Sequence, residues 1–174
     1  PGADLLTIRG YYKTFDYTQT NALLKGIDLA ASYHWNKHWQ STAKVSMLRA
    51  TDLVQKDWLI LMPSDRYKLS TRYERDINKH FKECFVGLAG QWVNQQKRIP
   101  ANFDSIDYPR PPAAYFLLDA EAGVHLHIRQ QPIYCSITAS NLLNAKYRDY
   151  LDVFRYFLDQ PGTNIALRFN VPIN

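Results

Sequence analysis

Apolar and polar side chains alternate one by one along most of this chain, which is the period of a β-strand whose two faces meet different surroundings. Between Gly26 and Trp35 one face carries Ile27, Leu29, Ala31, Tyr33 and Trp35, and the other Asp28, Ala30, Ser32 and His34. Ser41, Ala43, Val45 and Met47 oppose Thr42, Lys44 and Ser46; Tyr67, Leu69, Thr71 and Tyr73 oppose Lys68, Ser70, Arg72 and Glu74. The longest alternation sets Phe116, Leu118, Ala120, Ala122, Val124, Leu126 and Ile128 against Leu117, Asp119, Glu121, Gly123, His125 and His127. Two acids and two histidines on that second face argue against a strand buried on both sides. Ile133, Cys135, Ile137 and Ala139 mark a further strand, and Ile165, Leu167, Phe169 and Val171 another. Residues 4–14 and 82–96 read as strands with mixed faces, Cys84, Val86, Leu88, Gly90 and Trp92 being the preferred outer set of the second. The pattern predicts an all-β, antiparallel fold of about eight strands of roughly 10–14 residues. Globular strands average about 5–6, whereas roughly 9–11 tilted residues cross a bilayer.

The connections alternate in length. Asn36-Lys37-His38, residues 77–80 and residues 129–132 are tight, while residues 15–23, 52–64, 97–112 and 143–161 are long and rich in Asp, Asn, Pro and Tyr. Transmembrane barrels join strands by short periplasmic turns and longer extracellular loops, so the alternation predicts sidedness, with the chain starting and finishing on the periplasmic side. Tyr33, Trp35, Trp39, Tyr67, Tyr73, Trp92 and Tyr115 fall where strands would meet the two interfaces, as amphipathic rings do in aromatic girdles. Aromatic strand ends also occur in soluble sheets.

Composition narrows the choice. With 46% hydrophobic residues the chain folds, yet its mean hydropathy is negative and no run reaches the roughly 18–20 apolar residues of a membrane helix. A barrel wall escapes that test because its alternation averages out. The net charge of +5 raises nucleic acid as a partner, but Lys13, Lys25, Lys44, Lys56, Lys68 and Lys97 are scattered and form no patch in sequence. They fit a solvated face or a polar lumen. Cys84 and Cys135 are too few for a disulfide framework and lack C-x-x-C spacing, so they read as two free buried thiols. Pro1-Gly2-Ala3-Asp4 has no basic segment leading into an apolar core; an exported form has lost its leader, or the chain is a fragment.

Four short motifs point further. Lys25-Gly26-Ile27-Asp28 is similar to the K/R-G-hydrophobic-E/D that opens a strand in TonB-dependent outer-membrane receptors. Leu61-Met62-Pro63-Ser64-Asp65-Arg66 resembles their M/I-P-x-x-R. Ser140-Asn141-Leu142-Leu143-Asn144-Ala145-Lys146-Tyr147 resembles N-L-F-D/N-x-x-Y, and Gln160-Pro161-Gly162-Thr163-Asn164 resembles the P-G-R-N before the last strand. The four stand in family order and span nearly the whole chain. Thr163 departs from the usual Arg, and Phe169 stands five residues before the end, where the family has a terminal aromatic.

The resemblance implies that residues 1–174 are the C-terminal part of a 22-stranded receptor barrel in the bacterial outer membrane, without its plug domain and earlier strands. It implies import of a scarce nutrient, here an iron chelate such as a siderophore or haem, and no catalysis and no cofactor of the protein's own. The implied partners are outer-membrane lipid and lipopolysaccharide, the missing plug and strands, the TonB complex acting through the plug, and a small-molecule metal chelate. In such receptors loops and upper wall grip the ligand through aromatic and Arg side chains, which suit anionic chelates. The positions that match are Trp58, Arg98, Tyr108, Arg110, Tyr147, Arg148, Tyr150, Arg155 and Tyr156. The same residues could equally contact lipopolysaccharide or pack on one another. Asp28, Lys44, Lys68, Arg72, Glu74, Asp119, Glu121 and Arg168 would face the lumen, touching the plug or pairing among themselves.

The same residues bear on two other classes. An autonomous eight-stranded barrel with a structural or adhesion role would fill its interior with side chains. An outer-membrane enzyme would need a nucleophile, base and acid at one level, whereas Asp28, Ser32 and His34 spread over roughly 20 Å of one strand. His125 and His127 share a strand face near the turn at 129–132, where structural or plug-contacting roles suit them better than metal binding.

Overall fold

In the computed structural model, residues 5–8, 10–12, 19–106, 110–128 and 131–171 are described. The strands are β1 (Leu5–Thr7), β2 (Gly10–Tyr12), β3 (Ala22–His34), β4 (Trp39–Asp52), β5 (Asp57–Trp58), β6 (Arg66–Arg75), β7 (Phe81–Val93), β8 (Tyr115–Ile128), β9 (Gln131–Ser140) and β10 (Asn164–Asn170). A one-turn helix, α1 (Phe103–Ile106), and a 3₁₀ turn (Val153–Tyr156) lie in the connections. Alternation alone predicts the strands, but the chain has to meander for neighbouring strands to pair, and it does. One antiparallel sheet of eight strands runs in the order β10-β9-β8-β7-β6-β4-β3, with the short β5 paired to the end of β4. The fold is an antiparallel transmembrane β-barrel wall. The segment expected as a strand over residues 4–14 instead forms a separate small hairpin of β1 and β2, where a Gly10 φ of 121° lets the chain reverse after Thr7. Residues 4, 9, 13 and 14 of that expectation lie outside the described residues.

Register places the predicted faces on common sides. Tyr33, Ser41, Thr71, Leu88, Ala120, Ala139 and Ile165 form one row across seven strands, all of outer parity. Measured from this row, the turn after His34 is centred about four residues away, and the point where Ile128 meets Gln131 about nine and a half. That stagger is roughly 18 Å at 3.3 Å per residue, over four strand spacings of about 4.8 Å. If the turns lie in one plane, the strands tilt by about 43° to its normal, within the roughly 35–45° of membrane barrels. The outer face is apolar and uncovered: Leu69 is 63% and Leu167 67% exposed.

β7 shows why its faces looked mixed. Phe81 and Lys82 pair with Leu126 and His125, but Phe85 pairs with Gly123, so Glu83 and Cys84 together oppose one residue. Glu83 takes a φ of 48° at this bulge. The extra residue puts Phe81 on the outer face although its parity would point it inward. Phe85 then faces inward, nearly buried over Gly123, where an added Cβ would collide with its ring.

Apart from Gly87, the other well-buried residues lie at strand ends or in connections, away from the middle of the wall. Ala50, Val93, Phe103, Tyr150, Asp52, Ser64, Asp65, Gln96, Asn141 and Arg155 gather at the end carrying the long connections. The cysteines are free as expected but half-exposed rather than buried, because both have outer parity. Tyr115 also departs from expectation. It faces inward and bonds to a loop carboxylate, so it does not belong to the girdle.

Candidate functional site

Long connections are exposed to water at their tips, yet their backbones need partners where they cross the barrel mouth. Here those partners are acids and amides set at strand ends. Asp65, 6% exposed, follows Met62-Pro63-Ser64 and accepts from Arg49 Nη1 at 2.6 Å and Nη2 at 3.1 Å, and from Arg98 Nη2 at 2.9 Å. Gln96 donates to the Met62 and Pro63 carbonyls at 2.9 and 3.0 Å and accepts from the Arg98 backbone N–H. These contacts lock the connections 53–65 and 94–114 together.

The third connection, 141–163, is built on Asn141. Its φ of 50° is a left-handed conformation that Asn tolerates better than most residues. Its side chain accepts from Ala145 N at 2.9 Å and donates to Ala145 O at 2.9 Å. Its N–H reaches the Asp119 carboxylate at 2.9 Å, and its carbonyl accepts from Thr163 Oγ1 at 2.8 Å. Asn144 caps the Thr163 N–H, and a side chain at Gly162 would collide with that Asn144 amide. The two motif elements around 141 and 162 therefore form one clasp. Thr163 closes it through its hydroxyl and its N–H.

From the clasp the loop turns inward over the mouth. Asp149 accepts from Arg66 Nη2 at 2.7 Å and from the Tyr115 hydroxyl at 2.9 Å. Tyr147 lies on Tyr115 with ring centroids 4.5 Å apart. Burial, and after it the Asp149 and Asp119 charges, raise the Tyr147 hydroxyl above its ordinary pKa, so it stays protonated. Beyond it Arg155, 2% exposed, bonds to the Tyr150 carbonyl and the Tyr156 hydroxyl and lies 4.5 and 4.6 Å from those rings. Val153, Phe154, Phe157 and Leu158 point outward instead.

The sequence-derived ligand candidates thus fall into three groups. Arg98, Tyr147, Tyr150 and Arg155 form the interior of the loop cluster, and Arg148 joins it through Asp159 at 2.6 Å and the Arg155 carbonyl. Trp58, Tyr156 and Arg110 keep exposed surface; Arg110 pairs with Asp104 at 2.6 Å and holds that carboxyl below the usual range. Tyr108 lies outside the described residues. Sequence reasoning missed Asp65, Gln96, Asn141 and Asp149 as the residues that shape the mouth. The motifs around the first and third did contain the signal.

The register brings Asp28, Lys44, Lys68, Arg72, Glu74, Asp119, Glu121 and Arg168 to one face of the sheet, opposite the apolar one. Arg72 donates to Glu74 at 2.8 Å and to Glu121 at 3.4 Å, 3.5 Å above the Phe85 ring. Asp119 is directed at the Asn141 clasp. Between these groups lies a hollow of 440 Å³ walled by Thr42, Lys44, Lys68, Ser70 and Glu121 among others. Near the tight turns His125 contacts Glu83 at 3.5 Å and Tyr134 at 4.8 Å between rings; the His127 side chain lies outside the described residues. Among the described residues no three His, Cys, Asp or Glu side chains converge as a metal site.

Fold and site together define an antiparallel β-barrel wall with a clasped loop end, one apolar face and one polar face. A solved structure, the copper transporter OprC, superposes on 93% of the chain with a TM-score of 0.71 at 16% identity. The matched region is 25% of that transporter, so the chain spans about a quarter of its length. At this identity the likeness is one of fold. No family model and no curated protein matches the chain.

Proposed function

We propose that this chain is the C-terminal wall of a TonB-dependent receptor barrel in the bacterial outer membrane, importing a scarce nutrient and carrying out no catalysis. The observation that carries the reading is the open sheet: a lipid-type outer face, with β3 and β10 exposed along their whole length. Each unpaired backbone group in hydrocarbon costs several kcal/mol, so both edges require further strands. An autonomous small barrel would need β3 paired with β10, and among the described residues that pairing is absent. In this reading the partners are the rest of the barrel, a plug in its lumen, TonB acting through the plug, and lipopolysaccharide around the loop end. Nucleic acid has no role.

For the cargo we propose a metal in chelated, anionic form. The family resemblance and the cationic, aromatic loops suit an anionic iron chelate; the structural neighbour is by name a copper transporter, so both metals belong in the test. A strain deleted for the full-length gene should lose uptake of one radiolabelled metal chelate and regain it on complementation. Unchanged uptake of iron chelates and of copper would end the import reading.

A further inference from the structure

Lys44 of β4 and Lys68 of β6 stand directly opposite each other in the ladder, both on the inner face. Like charges so placed repel, and an interior wall screens them less than open water does. Neighbouring acids have other partners: Glu74 and Glu121 engage Arg72, Asp119 engages the Asn141 N–H, and Asp149 engages Arg66. Asp28, on β3, forms no ion pair with either amine among the described residues. One row toward the tight turns, Thr42 and Ser70 add hydroxyls to the same hollow.

We propose that Lys44 and Lys68 form an oxyanion subsite on the inner wall that takes a carboxylate or phosphate group of a small solute. Two flexible ammonium groups act as point charges without a fixed fork, so they accept either group, and a bound anion relieves their mutual repulsion. The subsite rests on the barrel-wall reading and gives its cargo a chemical class, a solute bearing free oxyanion groups.

The test uses the full-length protein extracted from outer membranes in detergent, titrated calorimetrically at low salt with citrate and, separately, inorganic phosphate. Wild type should bind at least one probe, more weakly as salt screens the charges. K44Q/K68Q should weaken binding by about tenfold or more, while K44R/K68R stays within about threefold and K25Q, of outer parity, leaves it unchanged. Heat-dependent gel mobility verifies that each variant is folded. Failure of wild type to bind either probe, or wild-type affinity in folded K44Q/K68Q, overturns the subsite. Uptake by the deletion strain bears on the import reading alone, so the two can fail separately.

Discussion

Asn141 joins three pieces of chain at once: the end of β9, the start of the long connection, and the 161–163 segment that leads into β10. Replacement by Ala removes the side-chain bonds to Ala145 and puts a Cβ residue without local hydrogen bonding into a left-handed conformation. At about 1 kcal/mol for each of the two lost bonds and about 1–2 for the conformation, N141A should cost roughly 3–4 kcal/mol. The measurement is the temperature at which the folded gel species is lost. Asp65 works through charge: it faces two guanidinium groups from a nearly buried position. D65N keeps its size but leaves both cations without an anionic partner, and should cost roughly 2–3 kcal/mol by the same assay. Gly162 and Thr163 are legible in hindsight as parts of a motif. What the motif could not convey is that Asn144 occupies the space a side chain at 162 would need.

At the scale of elements, each strand separates two environments, and substitutions should respect that division. Leu88, of outer parity near the middle of β7, meets lipid in the proposed setting, so L88R should destabilise by about 2–4 kcal/mol, whereas the uncharged S70Q, facing the hollow, should change stability little. Chemical denaturation in lipid vesicles measures both. In the connection 94–114, Asp104 is held below the ordinary carboxylate range, first by its hydrogen bond from Arg110. A depressed folded pKa means that the pair contributes above the unfolded pKa and is lost as the pH falls through the folded one. Protection against hydrogen exchange at residues 101–106, corrected for the intrinsic pH dependence of amide exchange, should therefore fall below the usual carboxylate range and stay constant from there to neutrality. The salt dependence should be marked, because both groups are largely exposed.

For the whole molecule, sidedness is the most direct consequence of the meander. Single cysteines at Lys56, Asn102 and Phe154, on the long connections, should react with an impermeant maleimide on intact cells; cysteines at Lys37 and Asn78, in the tight turns, should react only after the outer membrane is breached. The native cysteines, half-exposed on the outer face of the sheet, are replaced by Ala beforehand. Labelling of turns and loops alike on intact cells would exclude the membrane orientation. The stagger of the turns makes a related point, since it yields a tilt of barrel type from pairing register without reference to any other protein.

The sequence by itself determined seven of the strands in the sheet, their inner and outer faces and the long and short alternation of their connections. Each follows from a period of two residues that local backbone geometry imposes whatever the partner. Tertiary structure decided the remainder. The bulge at Glu83, which turns Phe81 outward, depends on what β8 presents opposite it. Tyr115 leaves the girdle because Asp149, 34 residues away, reaches it from the loop. Arg98, Tyr150 and Arg155 read as ligand contacts for their chemistry, yet they are half or wholly buried within the loop cluster, because a guanidinium near a carboxylate or between two rings is as well satisfied by the chain itself as by a bound molecule. Which of the two it meets is set by distance in space, and alternation along the chain carries no record of that.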